Sequence, residues 1–263
     1  MLARQRQDFI VEAVRRTGSV RVRDLAEQLE VSEMTVRRDL DTLADHGLIE
    51  KVHGGAARVG DLSSFEPGFA AKQDRQRAEK LAIARSAATL VRPGSAIGLT
   101  AGTTTWTFAS ELQAPPDLTV VTNAPSIAQT LYGSTHVSVV LTGGVRTPSD
   151  ALVGPLATDA VSKLHIDTLF LGVHGMDATL GYSTPNLAEA EINAALIAAA
   201  QRVVVLADHT KWGTRGLAQI APLGRADMVI SDDRLPVEAH RAFESAGVEL
   251  VVVRAGKLAE RSA

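Results

Sequence analysis

Two adjacent guanidinium groups, Arg37 and Arg38, follow Ser32 and Thr35 in the segment VSEMTVRRDLDTLADHGLIEKVHGG, Val31 to Gly55. An arginine can pair bidentately with guanine O6 and N7 or hold a phosphate, so this stretch has the chemistry of duplex DNA recognition. A second polar set is scattered farther along: Gly102-Thr-Thr-Thr105, Asn123, Gly143-Gly144, Arg146, Asp177 and Lys211. Each member follows a short apolar run. Glycines, hydroxyls, an amide and cations at such places suit a phosphorylated polyol. Each also has a plain structural use. Gly143-Gly144 can simply turn the chain, Asp208 can cap the turn after it, and Lys211 can be solvated.

The first set needs a helix to present it. At about 100° per residue, Val36, Leu40 and Leu43 share one narrow face, Arg38 lies almost opposite, and Arg37 and Thr35 flank it. Ser32 is a good N-cap, and Gly47 suits the end of the helix. Upstream, Val22 to Leu29 reads as a shorter bracing helix with Val22, Leu25, Ala26 and Leu29 inward. Gln5 to Arg16 reads as a first helix burying Phe9, Ile10, Ala13 and Val14. Leu48 to Val59 alternates loosely and turns at Gly54-Gly55, as in a two-stranded wing carrying Lys51 and His53. Charge alone does not mark the region: Met1 to Gly60 holds ten Lys+Arg and ten Asp+Glu. The distribution matters, with Arg37, Arg38, Lys51, His53 and Arg58 able to share one surface. A three-helix scaffold with a solvated charged face is the bland alternative.

The second set needs strand ends. After the turn-rich stretch Gly60 to Gly68 and a helical stretch from Phe69 to Leu90, the texture changes. Apolar runs at 96–99, 118–122, 137–141, 168–172, 203–207, 228–230 and 250–253 alternate with helical segments at 104–112, 125–132, 155–164, 186–201 and 236–246. Such alternation predicts an α/β domain with a largely parallel sheet, and open parallel sheets bind ligands at the carboxyl ends of their strands. Trp106 and Trp212 follow two of these ends, where core packing is their simpler use. The expected division is a winged helix-turn-helix at 1–59, a linker at 60–75 and an α/β domain at 76–263.

The chain has 263 residues, 45% hydrophobic, a net charge of −3 and no cysteine. Disulfides, thiolate ligands and cysteine nucleophiles are excluded. MLARQRQDF has no signal-peptide character, and no run approaches the roughly 18 apolar residues of a membrane span, so a soluble cytoplasmic protein with no membrane partner is expected. The seven histidines show no HxxxH or HxH spacing, and no GxSxG, Walker-type or GxGxxG motif occurs. No metal, cofactor or catalytic group is expected.

TVRRDL, the leucine-bearing helix end, Gly47 and the VHGGA wing resemble the DNA-binding signature of the DeoR family of bacterial transcription regulators, with Val36 where the family more often has Ile. The resemblance implies that Ser32, Thr35, Arg37 and Arg38 meet double-stranded operator DNA and that Lys51 and His53 lie near its backbone. It continues through GTTT at 102–105, VVTN at 120–123, Thr142-Gly-Gly144, Val153-Gly154, Asp167 to Gly175, Glu189-Ala190 and LADHTKWG at 206–213, which look like the DeoR-type sensor domain. By position, Gly102, Thr103, Thr104 and Thr105 would hold the phosphate of a sugar-type effector, with Asn123, Gly143, Gly144, Arg146, Asp177 and Lys211 nearby. One departure stands out: Thr100-Ala101 replaces an Asp-Ser pair frequent in the family.

The expected protein is a homo-oligomeric repressor of a carbohydrate or related operon, released from DNA by a phosphorylated effector, with oligomer contacts in the second domain. The competing reading is an enzyme, because the sensor domain is similar to ribose-5-phosphate isomerase. Asp177 and Glu189 or Glu191 could supply carboxylates for aldose–ketose isomerisation. The isomerase's Gly-rich segment with its lysine has no counterpart, since Tyr182 to Asn186 stands in that region.

Overall fold

The apolar spacing of the N-terminal residues produces three helices around one small core. The elements are α1 (Ala3–Thr17), β1 (Ser19–Arg21), α2 (Val22–Leu29), α3 (Glu33–Asp45), β2 (Glu50–Val52) and β3 (Gly55–Ala57). Ile10 and Val14 of α1, Val22, Leu25 and Leu29 of α2, and Val36, Leu40 and Leu43 of α3 pack with Ile49 and Ala56. Gly47 takes the left-handed conformation at φ 69°, and the Leu48 N–H reaches back to the Leu43 carbonyl at 2.9 Å, closing α3 as glycine-terminated helices do. Phe9, expected inside, is exposed. The wing has three strands rather than two, antiparallel in the order β1-β3-β2. The extra strand is Ser19–Arg21, too short to show a period. Its close approach needs Gly55, where a Cβ would sit 2.0 Å from the Val20 carbonyl oxygen.

This computed structural model describes residues 3–17, 19–52, 54–57 and 68–256. The chain divides into two compact units, Met1–Phe65 and Glu66–Ala263.

The second unit starts with α4 (Phe69–Gln73) and α5 (Arg77–Ala88), separated by Gln76 at φ 51°. Then follow β4 (Ala96–Leu99), α6 (Thr103–Glu111), β5 (Leu118–Thr122), α7 (Pro125–Leu131) and β6 (Val137–Leu141). A short hairpin, β7 (Val145–Arg146) and β8 (Leu152–Val153), precedes α8 (Pro155–Val161) and β9 (Ile166–Gly172). Next come β10 (Gly175–Asp177), β11 (Gly181–Thr184), α9 (Leu187–Ala199), β12 (Ala200–Leu206), β13 (Ala218–Ala221), β14 (Met228–Asp232), α10 (Val237–Ser245) and β15 (Glu249–Val253).

Seven of these strands form one parallel sheet in the order β15-β14-β12-β9-β4-β5-β6. Its central strands are apolar at successive positions because both faces are covered. Leu169, Leu171, Val203 and Val205 meet Ala157 of α8, Leu196 of α9 and Phe243 of α10. Phe170, Val204 and Leu206 point the other way, toward Ile83 of α5, Phe108 of α6 and Ile127 of α7. The unit is therefore a three-layer α/β/α sandwich, joined by a small antiparallel sheet β10-β11-β13 that the sequence pattern did not announce. Among the described residues, no helix is long and apolar enough to cross a membrane.

Candidate functional sites

In the first unit, α3 turns its buried stripe inward and leaves Arg37, Arg38 and Met34 exposed. Ser32 closes the helix start: its hydroxyl accepts the Thr35 N–H at 3.2 Å and lies 2.9 Å from the Thr35 hydroxyl. Arg37 pairs with Glu33 one turn back at 3.2 Å, and Lys51 of the wing pairs with Asp41. Arg38 makes an ion pair with none of the described residues. His53 lies outside the described residues, as does Arg58.

The acid beside the two arginines has another use. Asp39 is buried and accepts from Arg6 Nε, from Arg6 Nη2 at 3.1 Å and from Gln7 Nε2 at 3.2 Å. The hydrogen bond it donates to Asp39 holds the Arg6 guanidinium above its ordinary range. The pair clamps α3 to α1, so the arginine-bearing face is held by a polar bridge as well as by leucines. The sequence carried a signal: at about 100° per residue Asp39 falls beside the Leu40–Leu43 stripe, where an acid needs a partner.

The second site lies where the sheet changes direction. From β4 the chain builds β5 and β6 on one side, and β9 and its successors on the other. Loops leaving β4 and β9 diverge there and open a crevice. Ala101, Gly102, Thr103 and Thr104 follow β4, Gly172, Val173 and His174 follow β9, and Lys211 follows β12; all line it. Lys72 of α4, Ser149 of the hairpin tip, Thr184 and Pro185 after β11, and Glu189 and Asn193 of α9 complete the wall. The crevice opens to solvent and has a cavity volume of about 60 Å³. Gly102 is the N-cap of α6 and offers no side chain, so among the described residues no side chain caps this helix start, whose Gly102, Thr103 and Thr104 line the crevice. Among the lining groups, Lys72, Ser149, His174, Glu189 and Asn193 were absent from the sequence-derived site. They come from segments whose approach follows from packing.

Six expected residues do not line the crevice. Thr105 is fully buried, and its hydroxyl donates to the Thr100 carbonyl at 2.7 Å and the Gly102 carbonyl at 2.9 Å. Asn123 spans two loops: its Oδ1 accepts the Ala101 N–H at 3.0 Å and its Nδ2 donates to the Leu152 carbonyl at 3.2 Å. Gly143 and Gly144 turn the chain into the β7–β8 hairpin, and a Cβ at Gly144 would lie 2.5 Å from the Val153 carbonyl oxygen. Arg146 is exposed and bonds Asp150 at 2.5 Å. Asp177 closes the β10–β11 turn, accepting the N–H groups of Thr179 at 2.8 Å and Leu180 at 3.0 Å and the Arg215 guanidinium at 2.8 Å. The Leu180 amide leads in holding its carboxyl below the ordinary range, with Thr179 and Arg215 adding against burial. Thr100 is also buried, its hydroxyl accepting the Gly172 N–H at 2.9 Å, so of the Thr100-Ala101 pair only Ala101 faces the crevice. The tryptophans pack: Trp106 against Phe69 edge-on at 5.9 Å, Trp212 against Phe243 at 5.4 Å.

Behind the crevice wall, Lys80 of α5 is buried and donates to the Lys72 carbonyl at 2.5 Å. Burial pushes its ammonium down to about 8, and Lys211, Lys72 and Arg75 push the same way against the pull of Asp208. Asp208 is buried as well. Desolvation raises its carboxyl, but Lys211, the Thr210 hydroxyl and Lys80 outweigh that and hold it below its ordinary range. Asp208 also caps the turn to Lys211 by accepting the Thr210 N–H at 3.0 Å. The result is a cationic corner beside an open helix start, an arrangement that attracts anions.

Comparison with known proteins bears on both sites. The DeoR-like helix-turn-helix domain family matches residues 6–60, and the DeoR C terminal sensor domain family matches residues 75–233. The HTH-type transcriptional regulator GlpR of Haloferax volcanii is 36% identical over 252 residues, covering 95% of this chain and 98% of that protein. The glycerol-3-phosphate regulon repressor of Escherichia coli K12 is 30% identical over 247 residues, 94% of this chain and 97% of that one. The L-fucose operon activator of Haemophilus influenzae is 31% identical over 252 residues, 94% and 99% of the two chains. Among solved structures, ribose 5-phosphate isomerase A of Methanocaldococcus jannaschii matches 51% of this chain and 54% of its own at 18% identity and a TM-score of 0.38. With both units matched in order and relatives aligned over nearly their full length, this chain belongs to the DeoR family of transcriptional regulators.

Proposed function

We propose that this regulator is a repressor that grips operator DNA with its first unit and releases it when a phosphorylated sugar-type effector fills the crevice of the second. In this reading Ser32, Thr35, Arg37 and Arg38 face the major groove, and Lys51 and His53 run along the backbone. The first-turn amides of α6 with Thr103, Thr104 and Lys211 hold the phosphate. Thr105, Asn123, Gly143, Gly144, Arg146 and Asp177 shape the strand ends around it. The observation that carries the proposal is the convergence of Gly102–Thr104 and Lys211 on one crevice at the sheet's switch point. Relatives named for the glycerol-3-phosphate regulon and the L-fucose operon support the effector class. Two copies of the chain would set their recognition helices on half-sites one helical turn apart, and the effector must bind one arrangement of those helices better than the other to act.

The test is a thermal-shift screen of the full chain with sugar phosphates and their parent sugars, followed by operator binding with each hit. Stabilisation that requires the phosphate, together with loss of operator binding, is the expected result. Equal shifts with and without phosphate would overturn the crevice assignment. Isomerase assays on pentose and hexose phosphates should show no turnover. Turnover abolished by Glu189→Gln would restore the enzyme reading.

A further inference from the structure

The crevice lining is mixed in charge: the open start of α6, Lys72 and Lys211 share it with Glu189 of α9 and, four residues on and so on the same helical face, Asn193. Glu189 is only 9% exposed, and three hydroxyls donate to it: Thr147 at 2.6 Å, Ser149, and Thr184 at 3.3 Å. Its backbone is fixed too, because the Asn186 side chain accepts the N–H groups of Ala188 at 3.0 Å and Glu189 at 3.3 Å at the first turn of α9. A side chain held by a hairpin tip, a strand end and a helix cap keeps its position when a ligand arrives.

We infer that Glu189 reads a part of the effector other than its phosphate: the crevice takes a phosphorylated sugar or polyol that brings a hydroxyl to this carboxylate and rejects the matching phosphorylated carboxylic acid. The inference rests on the sensing role proposed above and narrows it. A carboxylate accepts hydrogen bonds from hydroxyls, and in a partly desolvated wall it repels a second carboxylate strongly. A purely structural Glu189, tying the 147–149 loop to β11, would be indifferent to that difference between ligands.

Matched pairs test it by calorimetric titration of the full chain: glycerol 3-phosphate with 3-phosphoglycerate, ribose 5-phosphate with 5-phosphoribonate, and glucose 6-phosphate with 6-phosphogluconate. In every pair whose uncharged member binds, the acid should bind at least about tenfold more weakly. Glu189→Gln should shrink that gap to about threefold or less. Asn193→Asp, which adds a second carboxylate to the same wall, should widen it. An acid that binds the wild type as tightly as its partner overturns the inference even if Glu189→Gln does not fold. So does a gap that Glu189→Gln leaves unchanged. Sugar phosphates that bind without this preference remove the inference alone, whereas failure of every phosphorylated ligand to bind removes the sensing role beneath it.

Discussion

The recognition helix α3 and the crevice helix α6 both begin in turns rich in hydroxyl side chains, yet they use their exposed amides in opposite ways. Ser32 folds its own hydroxyl over the start of α3 and satisfies Thr35. Gly102 leaves the start of α6 open, and Thr105, which might have capped it, donates instead to carbonyls below. The surroundings differ as well. Arg37 and Arg38 stand in solvent, where a charge costs little, whereas Lys80 and Asp208 are buried side by side with Lys211 at the crevice. A self-capped helix offers side chains to a partner. An open one offers its backbone and borrows cations from elsewhere in the fold.

The sharpest test of that contrast is the cost of the crevice's charge. The Lys80 ammonium falls from 10.5 to about 8 in the folded chain. Between those values the unfolded chain binds more protons, so stability rises with pH there; below about 8 the penalty is present in full. The rise should amount to about 3 kcal/mol. Urea unfolding from pH 7 to 10.5 should show this slope in the wild type and lose it in Lys80→Met. An unchanged slope would mean that the buried cation costs nothing, and the contrast with α3 would fail. Next in size, Lys211→Ala should weaken the phosphorylated effector by roughly 10- to 100-fold and leave operator affinity as it is. The mirror variant Arg38→Ala should cost about 1–3 kcal/mol in operator affinity, measured by fluorescence anisotropy, without altering effector binding. A variant that disturbed both activities equally would blur the division between the sites. The smallest effect belongs to the cap itself: Ser32→Ala should lower stability by about 1 kcal/mol and Ser32→Gly by only a few tenths.

Much of the scaffold was legible from the chain alone. The leucine and valine stripe of α3, the Ser32 cap and the Gly47 stop are local features with helical periods, and the structure reproduces them. The apolar runs at 96–99 and 118–122 became strands with those bounds, because a parallel strand buried on both faces is apolar at successive positions, and 137–141 became the half-exposed edge strand β6. Shorter strands escaped notice. Ser19–Arg21, Gly175–Asp177, Gly181–Thr184 and Ala218–Ala221 have three or four residues each and no readable alternation. Glycines let backbones meet here: a Cβ at Gly181 would fall 2.3 Å from the carbonyl oxygen of Ala221 on β13, and one at Gly175 2.0 Å from that of Thr214 in the loop before β13.

Residue types and spacing, by themselves, determined that this chain has a helix presenting arginines, a glycine-started helix after a buried strand, and an α/β sheet with polar loops at its strand ends. Those are properties of neighbours along the chain, set by helix and strand periods and by backbone capping. Which polar loops meet was decided only in three dimensions. The sheet order put β9 beside β4, opened the crevice between their loops, brought Lys72, Glu189 and Asn193 to it, and turned Thr105, Asn123 and Asp177 into internal hydrogen-bonding posts. A strand-end residue can face a ligand or brace the next loop with the same side chain. The choice rests on the packing of segments far apart in sequence, which no local pattern encodes.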